Sequence, residues 1–115
     1  MIEITIFGPK DTHKELAILD SGADRTLLNI EIAKYLNIDL SRAKKGVMNG
    51  IVGGTEALTI ELEVQVEHLN KIKIPVSFIQ SQTFSALLGQ DGFFDAHKIK
   101  FEKDHDVFEI SPVKR

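Results

Sequence analysis

The sequence predicts a mainly β, closed-barrel-like single domain spanning residues 1–115, with one or two short helices. Three observations carry that expectation. Leu58, Ile60, Leu62, Val64 and Val66 alternate with Thr59, Glu61, Glu63, Gln65 and Glu67, the period of a strand with one buried face. Two further runs, Ile2-Ile4-Ile6 and Ile72-Ile74-Val76-Phe78, alternate in the same way and are bounded by turn-forming residues. Only two short segments read as helix, and they do not form the regular strand–helix–strand alternation of a parallel α/β sheet.

Taken in order, Ile2 to Ile6 forms the first strand, Gly8-Pro9-Lys10-Asp11 turns the chain, and Glu15 to Leu19 returns. That hairpin ends on Asp20. Thr26-Leu27-Leu28 resumes the apolar pattern, and Asn29 is placed to cap a short helix whose Ile32, Ala33 and Leu36 share one side. Asn37 can end this helix in a left-handed conformation, and residues 39–45 read as loop. Gly50, Gly53 and Gly54 surround Ile51 and Val52, a composition suited to a mobile hairpin tip rather than a core strand. The long alternating run from Leu58 turns at His68-Leu69-Asn70 and returns through Phe78, with Pro75 marking an edge or a bulge. Ala86-Leu87-Leu88-Gly89 brings apolar residues to a glycine with a short helix expected after it. Residues 98–103 and 107–111 form a last hairpin around Asp104-His105-Asp106, before a frayed tail. No tandem repeat is present at solenoid spacing.

The chain has 115 residues, enough for one core and few for two. Its 43% apolar and 27% charged residues are an ordinary globular balance, and a formal charge of −3 gives no field favouring nucleic acid or an anionic membrane. Arg42, Lys44 and Lys45 make the one basic cluster, read as a solvated loop. No cysteine is present, which excludes disulfides, thiolate metal sites and cysteine nucleophiles. The N-terminus alternates and carries an early acid, unlike a signal peptide. No apolar stretch approaches the roughly 18–20 residues of a transmembrane helix. The expectation is a soluble, cytoplasmic chain with no membrane or nucleic-acid partner.

Against this background Ala17-Ile18-Leu19-Asp20-Ser21-Gly22-Ala23-Asp24-Arg25 stands out. A carboxylate at the end of a buried strand costs free energy unless it is hydrogen-bonded or used. The glycine behind it lets the backbone turn and another chain approach. On the tripeptide alone, Asp20 is most plainly an acid capping a turn. Three ordered motifs change that weighing. Asp20-Ser21-Gly22-Ala23-Asp24 resembles the catalytic loop of retroviral-type (retropepsin-like) aspartic proteases, above all the bacterial and cellular single-domain members. Gly50-Ile51-Val52-Gly53-Gly54 is similar to that family's glycine-rich flap, and Leu87-Leu88-Gly89 resembles its structural second motif. The resemblance covers most of the chain and implies the retropepsin (acid protease) fold.

It also implies roles. Asp20 is the catalytic acid, Ser21 and Gly22 complete the active-site loop, and Ala23, Asp24 and Arg25 bind substrate. Such enzymes need no cofactor and no metal. Two carboxylates share one proton, one acting as base toward water and the other hydrogen-bonding the carbonyl oxygen. This chain offers a single Asp-Ser-Gly, and its second motif has Leu88 where an acid would be needed. The expected active form is a C2 homodimer with one Asp20 from each subunit at the axis, cutting extended peptide or protein substrates under the flaps. By the same resemblance residues 1–7 and 107–113 are candidate dimer strands. Two departures are visible. Gln90 stands where many retroviral enzymes have an arginine paired to the acid matching Asp24, and Arg25 stands where they often carry an acid.

Other polar residues read as ordinary. His13, His68, His97 and His105 lie mostly beside turns at no metal-ligand spacing. Glu61, Glu63 and Glu67 form one solvated strand face, Asp91 a helix-start acid, and Phe93 and Phe94 core. The alternative to an aspartic endopeptidase is a non-catalytic peptide-binding or dimerisation module on the same fold. A monomeric half-domain acting beside another acid-bearing chain is a third reading.

Overall fold

Ile4 and Ile6 are fully buried while Glu3 and Thr5, which alternate with them, are not, so the first alternating run forms the strand it predicts. In the computed structural model, residues 1–20, 22–47, 56–81 and 85–90 are described with their side chains, and Met48, Thr55, 97–102 and 107–112 by their backbone. The elements are β1 (Ile2–Phe7), β2 (Thr12–Leu19), β3 (Thr26–Asn29), α1 (Ile30–Tyr35), β4 (Lys44–Met48), β5 (Thr55–Val66), β6 (Ile72–Ile79), β7 (Ala86–Leu88), β8 (His97–Glu102) and β9 (Val107–Pro112).

Six strands close on themselves in the order β1-β2-β7-β3-β6-β5, with β5 returning to β1 through Ile4↔Val66 and Ile6↔Val64. Closure removes the free edges that an open sheet of this size would present. β4 hangs from β5 outside the ring, and β8 pairs with β9 in a separate two-stranded sheet. The ring encloses a core of Ile4, Ile6, Leu28, Val64, Val76, Phe78 and Leu88, each fully buried. A second, smaller cluster of Leu27, Ala57 and Ile79, with Leu87 against it, packs on the opposite face of the sheet.

That second cluster explains where simple alternation fails. β6 alternates through Val76, after which Ser77, Phe78 and Ile79 are all buried. The chain there lies between β5 and β3 and is covered on both faces. Pro75 precedes this stretch: it pairs with Glu61 of β5, and β3 joins only at Val76, so proline sits in the half of β6 without a β3 neighbour.

The helix follows its local signals. Asn29 caps it, its side chain accepting from the Glu31 N–H at 3.0 Å, while Ile32, Ala33 and Leu36 turn inward. Asn37 ends it at φ 55°, the left-handed geometry expected of that asparagine, and His68 takes φ 60° in the β5–β6 turn. β2 begins earlier than Glu15, at Thr12, and the segment read as loop through Lys45 gives way to β4 from Lys44. The last hairpin forms as β8 and β9. The expected helix after Gly89 and the frayed tail lie outside the described residues.

Candidate active site

The loop from Asp20 to Arg25 is built over the end of β7. β2 runs parallel to β7, with Ile18 opposite Leu87 and Leu19 opposite Leu88, and β3 runs antiparallel to it on the other side, with Leu27 opposite Leu87. A strand of three residues is thus inserted between the two strands that the loop connects. The loop must arch across its end, and Gly89 lies directly beneath.

That contact fixes the residue type. A Cβ on Gly89 would stand 2.5 Å from the Arg25 carbonyl oxygen and 2.9 Å from that of Ala23, distances no side-chain carbon tolerates against backbone. The Gly89 N–H instead donates to Thr26 Oγ1 at 3.2 Å, and the Gln90 N–H donates to the Ala23 carbonyl at 2.8 Å. On the other flank, Asp20 N–H donates to the Leu88 carbonyl at 3.0 Å. Leu88 and Gln90 therefore hold the loop through backbone bonds, and Gly89 is tied to the start of β3 through the Thr26 hydroxyl.

Held this way, Asp20 follows the last residue of β2 with its side chain exposed. Its Oδ1 accepts the Gly22 N–H at 2.9 Å, and its carbonyl accepts the Ala23 N–H at 3.1 Å. A Cβ at Gly22 would come within 3.2 Å of Oδ1, so glycine keeps the carboxylate's surroundings open. The second carboxylate oxygen is not used by the Gly22 bond. Such a group can accept a proton from water or, when protonated, hydrogen-bond a carbonyl.

Asp24 is exposed and Arg25 half-buried, and both line a cavity of about 230 Å³ whose other walls are Gly46, Val47, Ala57, Thr59 and Ser77. The cavity brings the end of the Asp20 loop against β4, β5 and β6. Ser21 and the residues expected to form a flap, Gly50, Ile51, Val52, Gly53 and Gly54, lie outside the described residues. The strands on either side of this segment pair in antiparallel fashion, Met48 opposite Thr55. Among the described residues no group of three or more acidic, histidine or cysteine side chains could hold a metal ion. No helix among them is long and apolar enough to cross a membrane.

Sequence reading singled out Asp20, Gly22–Arg25 and Leu87–Gly89 as separate motifs, and the structure brings these described residues into one unit. It missed Thr26, grouped there with the apolar run. Thr26 is fully buried, and its hydroxyl is the acceptor for Gly89. A hydroxyl inside a short buried run needs such a partner, and that requirement was the available signal. It also missed Thr59 and Ser77, whose hydroxyls lie 2.7 Å apart.

No protein-family model and no curated protein matches the chain. Solved structures do. The crystal structure of the retroviral protease-like domain of Ddi1 from Leishmania major superposes with a TM-score of 0.62 at 19% identity, covering 98% of this chain and 90% of that one. That of a retropepsin-like aspartic protease from Rickettsia conorii gives a TM-score of 0.66 at 24% identity, covering 95% of this chain and 88% of the other.

Proposed function

We propose that this chain, which has the retropepsin-like fold, is an aspartic endopeptidase active as a homodimer on extended peptide substrates. The observation that carries the proposal is the position of Asp20. It is an exposed carboxylate immediately after β2, on a loop held by backbone bonds to Leu88 and Gln90. A loop so anchored keeps its carboxylate in place through a reaction, which is what electrostatic preorganisation requires.

One chain supplies half the chemistry. Hydrolysis calls for a base to take a proton from the attacking water and an acid to face the carbonyl oxygen. The second motif, Leu87-Leu88-Gly89, carries no acid. A two-fold axis beside the loop gives the second carboxylate as Asp20 of another copy. The pair then holds one proton: the ionised member deprotonates water as it attacks the carbonyl carbon, and the protonated member hydrogen-bonds the oxygen. The proton taken from water passes to the leaving nitrogen as the peptide bond breaks. Ser21 steadies the two loops, Gly22 leaves room for the substrate, and Ala23, Asp24 and Arg25 bind it. Gly50, Ile51, Val52, Gly53 and Gly54 act as the flap that excludes bulk water.

Asp20→Asn tests this directly. Cleavage of a peptide library by the purified protein should vanish in the variant while the dimer and its thermal transition persist. Undiminished cleavage by that variant would sink the proposal. A second reading, a peptide-binding module without turnover, draws on Gln90. Its side chain carries no charge, at a position where the family resemblance places an arginine in many retroviral enzymes. Binding of peptides by wild type without any cleavage would favour it.

A further inference from the structure

The cavity beside Asp24 and Arg25 has a lining of unusual chemistry for its setting. Thr59 of β5 and Ser77 of β6 are register partners, so their side chains share one face of the sheet, and their hydroxyl oxygens lie 2.7 Å apart. Toward one end that face is apolar, with Leu27, Ala57 and Ile79 buried there and Leu87 against them, while along β5 in the other direction it continues to exposed Glu61. Ser77 itself is 2% exposed. Two hydroxyls carry two protons, and their mutual bond uses one. The pair therefore keeps one proton to donate and spare lone pairs to accept, in the lining of a cavity of about 230 Å³.

We infer that this cavity, resting on the proteolytic reading above, selects an uncharged hydrogen-bonding side chain (Asn, Gln, Ser or Thr) at one position of the bound peptide. The selection comes from the Thr59–Ser77 hydroxyl pair. An aliphatic side chain entering the cavity displaces water from the pair and returns no hydrogen bond, which leaves a buried donor unpaired. A site built around such a group rejects ligands lacking the matching atom more strongly than an apolar pocket rejects a polar one. The rim decides between neutral and charged ligands. Asp24 and Arg25 carry opposite charges, so the lining has no net charge to offset the desolvation of an ionised side chain. Val47 and Ala57 supply apolar wall for the stem of a longer amide.

The test is digestion of an extended-peptide library, with products read by mass spectrometry. Wild type is expected to favour Asn, Gln, Ser and Thr over Val, Leu and Met by about tenfold at one position. The Thr59→Val/Ser77→Ala double variant removes both hydroxyls together, so neither is left unpaired. It should lose that preference and cleave peptides with an aliphatic residue there faster than wild type does. Exchanging the pair, Thr59→Ser with Ser77→Thr, keeps both hydroxyls and should keep the preference. An aliphatic or acidic preference at every position in wild type, or a polar preference untouched in the double variant, overturns this inference and leaves the proteolytic reading standing. No cleavage by wild type overturns both. A wild-type profile with no polar preference overturns the inference even where the double variant does not fold.

Discussion

Thr26 Oγ1 accepts the Gly89 N–H at 3.2 Å, joining the first residue of β3 to the residue that follows β7 across 63 positions of sequence. Both ends of this bond are buried. Thr26→Val keeps the shape and deletes the acceptor, leaving a buried N–H without a partner, a loss of about 1–3 kcal/mol. Chemical denaturation should show that loss, with an unchanged denaturant dependence marking an effect confined to the folded state. Thr26→Ser retains the oxygen and should cost less than the valine variant.

Gly89→Ala should do more damage than its single methyl group suggests. The added carbon would meet the Arg25 carbonyl at 2.5 Å, and backbone rather than a flexible side chain must yield. Overpacking of this kind costs about 1–3 kcal/mol. The yielding backbone is the Asp20–Arg25 loop, so cleavage should fall more than stability does. A variant with a full loss of stability but normal turnover per folded molecule would contradict the placement of the loop over Gly89.

Mixing chains offers a test of the shared site that needs no structure. If each site takes one Asp20 from each subunit, heterodimers of wild type with Asp20→Asn have one carboxylate and do not turn over. Equal mixing with free exchange should then cut the activity of the wild-type chains to about half. Activity equal to that of the unmixed wild type after exchange would show that one Asp20 suffices.

Asn29 links three elements and should be sensitive in a graded way. Its Oδ1 caps α1 through the Glu31 N–H, and its Nδ2 donates to the Ser81 carbonyl at 2.6 Å. Asn29→Ala loses both, with the cap alone worth about 0.5–2 kcal/mol. Asn29→Asp retains the cap acceptor and loses the donor, so its thermal midpoint should fall between alanine and wild type.

Asp39 gives a pH prediction of definite sign. The Ser41 backbone N–H donates to its carboxylate at 2.9 Å, and this bond, with the Ser41 hydroxyl second, holds its pKa below the ordinary aspartate value. A depressed folded pKa contributes stability that is present above the unfolded value and lost as pH falls through the folded one. The group is fully exposed, so the effect is small. A carbon-detected NMR titration should find the Asp39 midpoint lowered, and Ser41→Pro, which removes the N–H, should raise it.

Much of the fold was legible because strand and helix faces are written locally. Ile2-Ile4-Ile6 and Leu62-Val64-Val66 display the period of two directly, and Asn29 and Asn37 bracket a helix by capping chemistry that involves only near neighbours. The candidate site was legible for a different reason. Asp20-Ser21-Gly22, the glycine-rich segment and Leu87-Leu88-Gly89 stand in an order that resembles a known family, and of these Gly89 is the residue type that the loop packed over the strand end demands. Ser77 and Ile79 were not legible as buried neighbours of Phe78, because their cover comes from the second cluster, which no local period encodes.

By itself, then, the sequence determined which residues alternate, where the chain turns, where the one described helix starts and stops, and that a lone Asp-Ser-Gly is followed by glycine-rich and Leu-Leu-Gly segments. Only the tertiary structure decided that β7 enters between β2 and β3, that β1 closes the ring on β5, and that Thr26 faces Gly89 and Thr59 faces Ser77. The physical reason is that periodicity states which face of a strand is apolar but not which strand lies beside it. Partner and register are settled by packing the whole ring at once, where an error of one residue would turn a buried face to water.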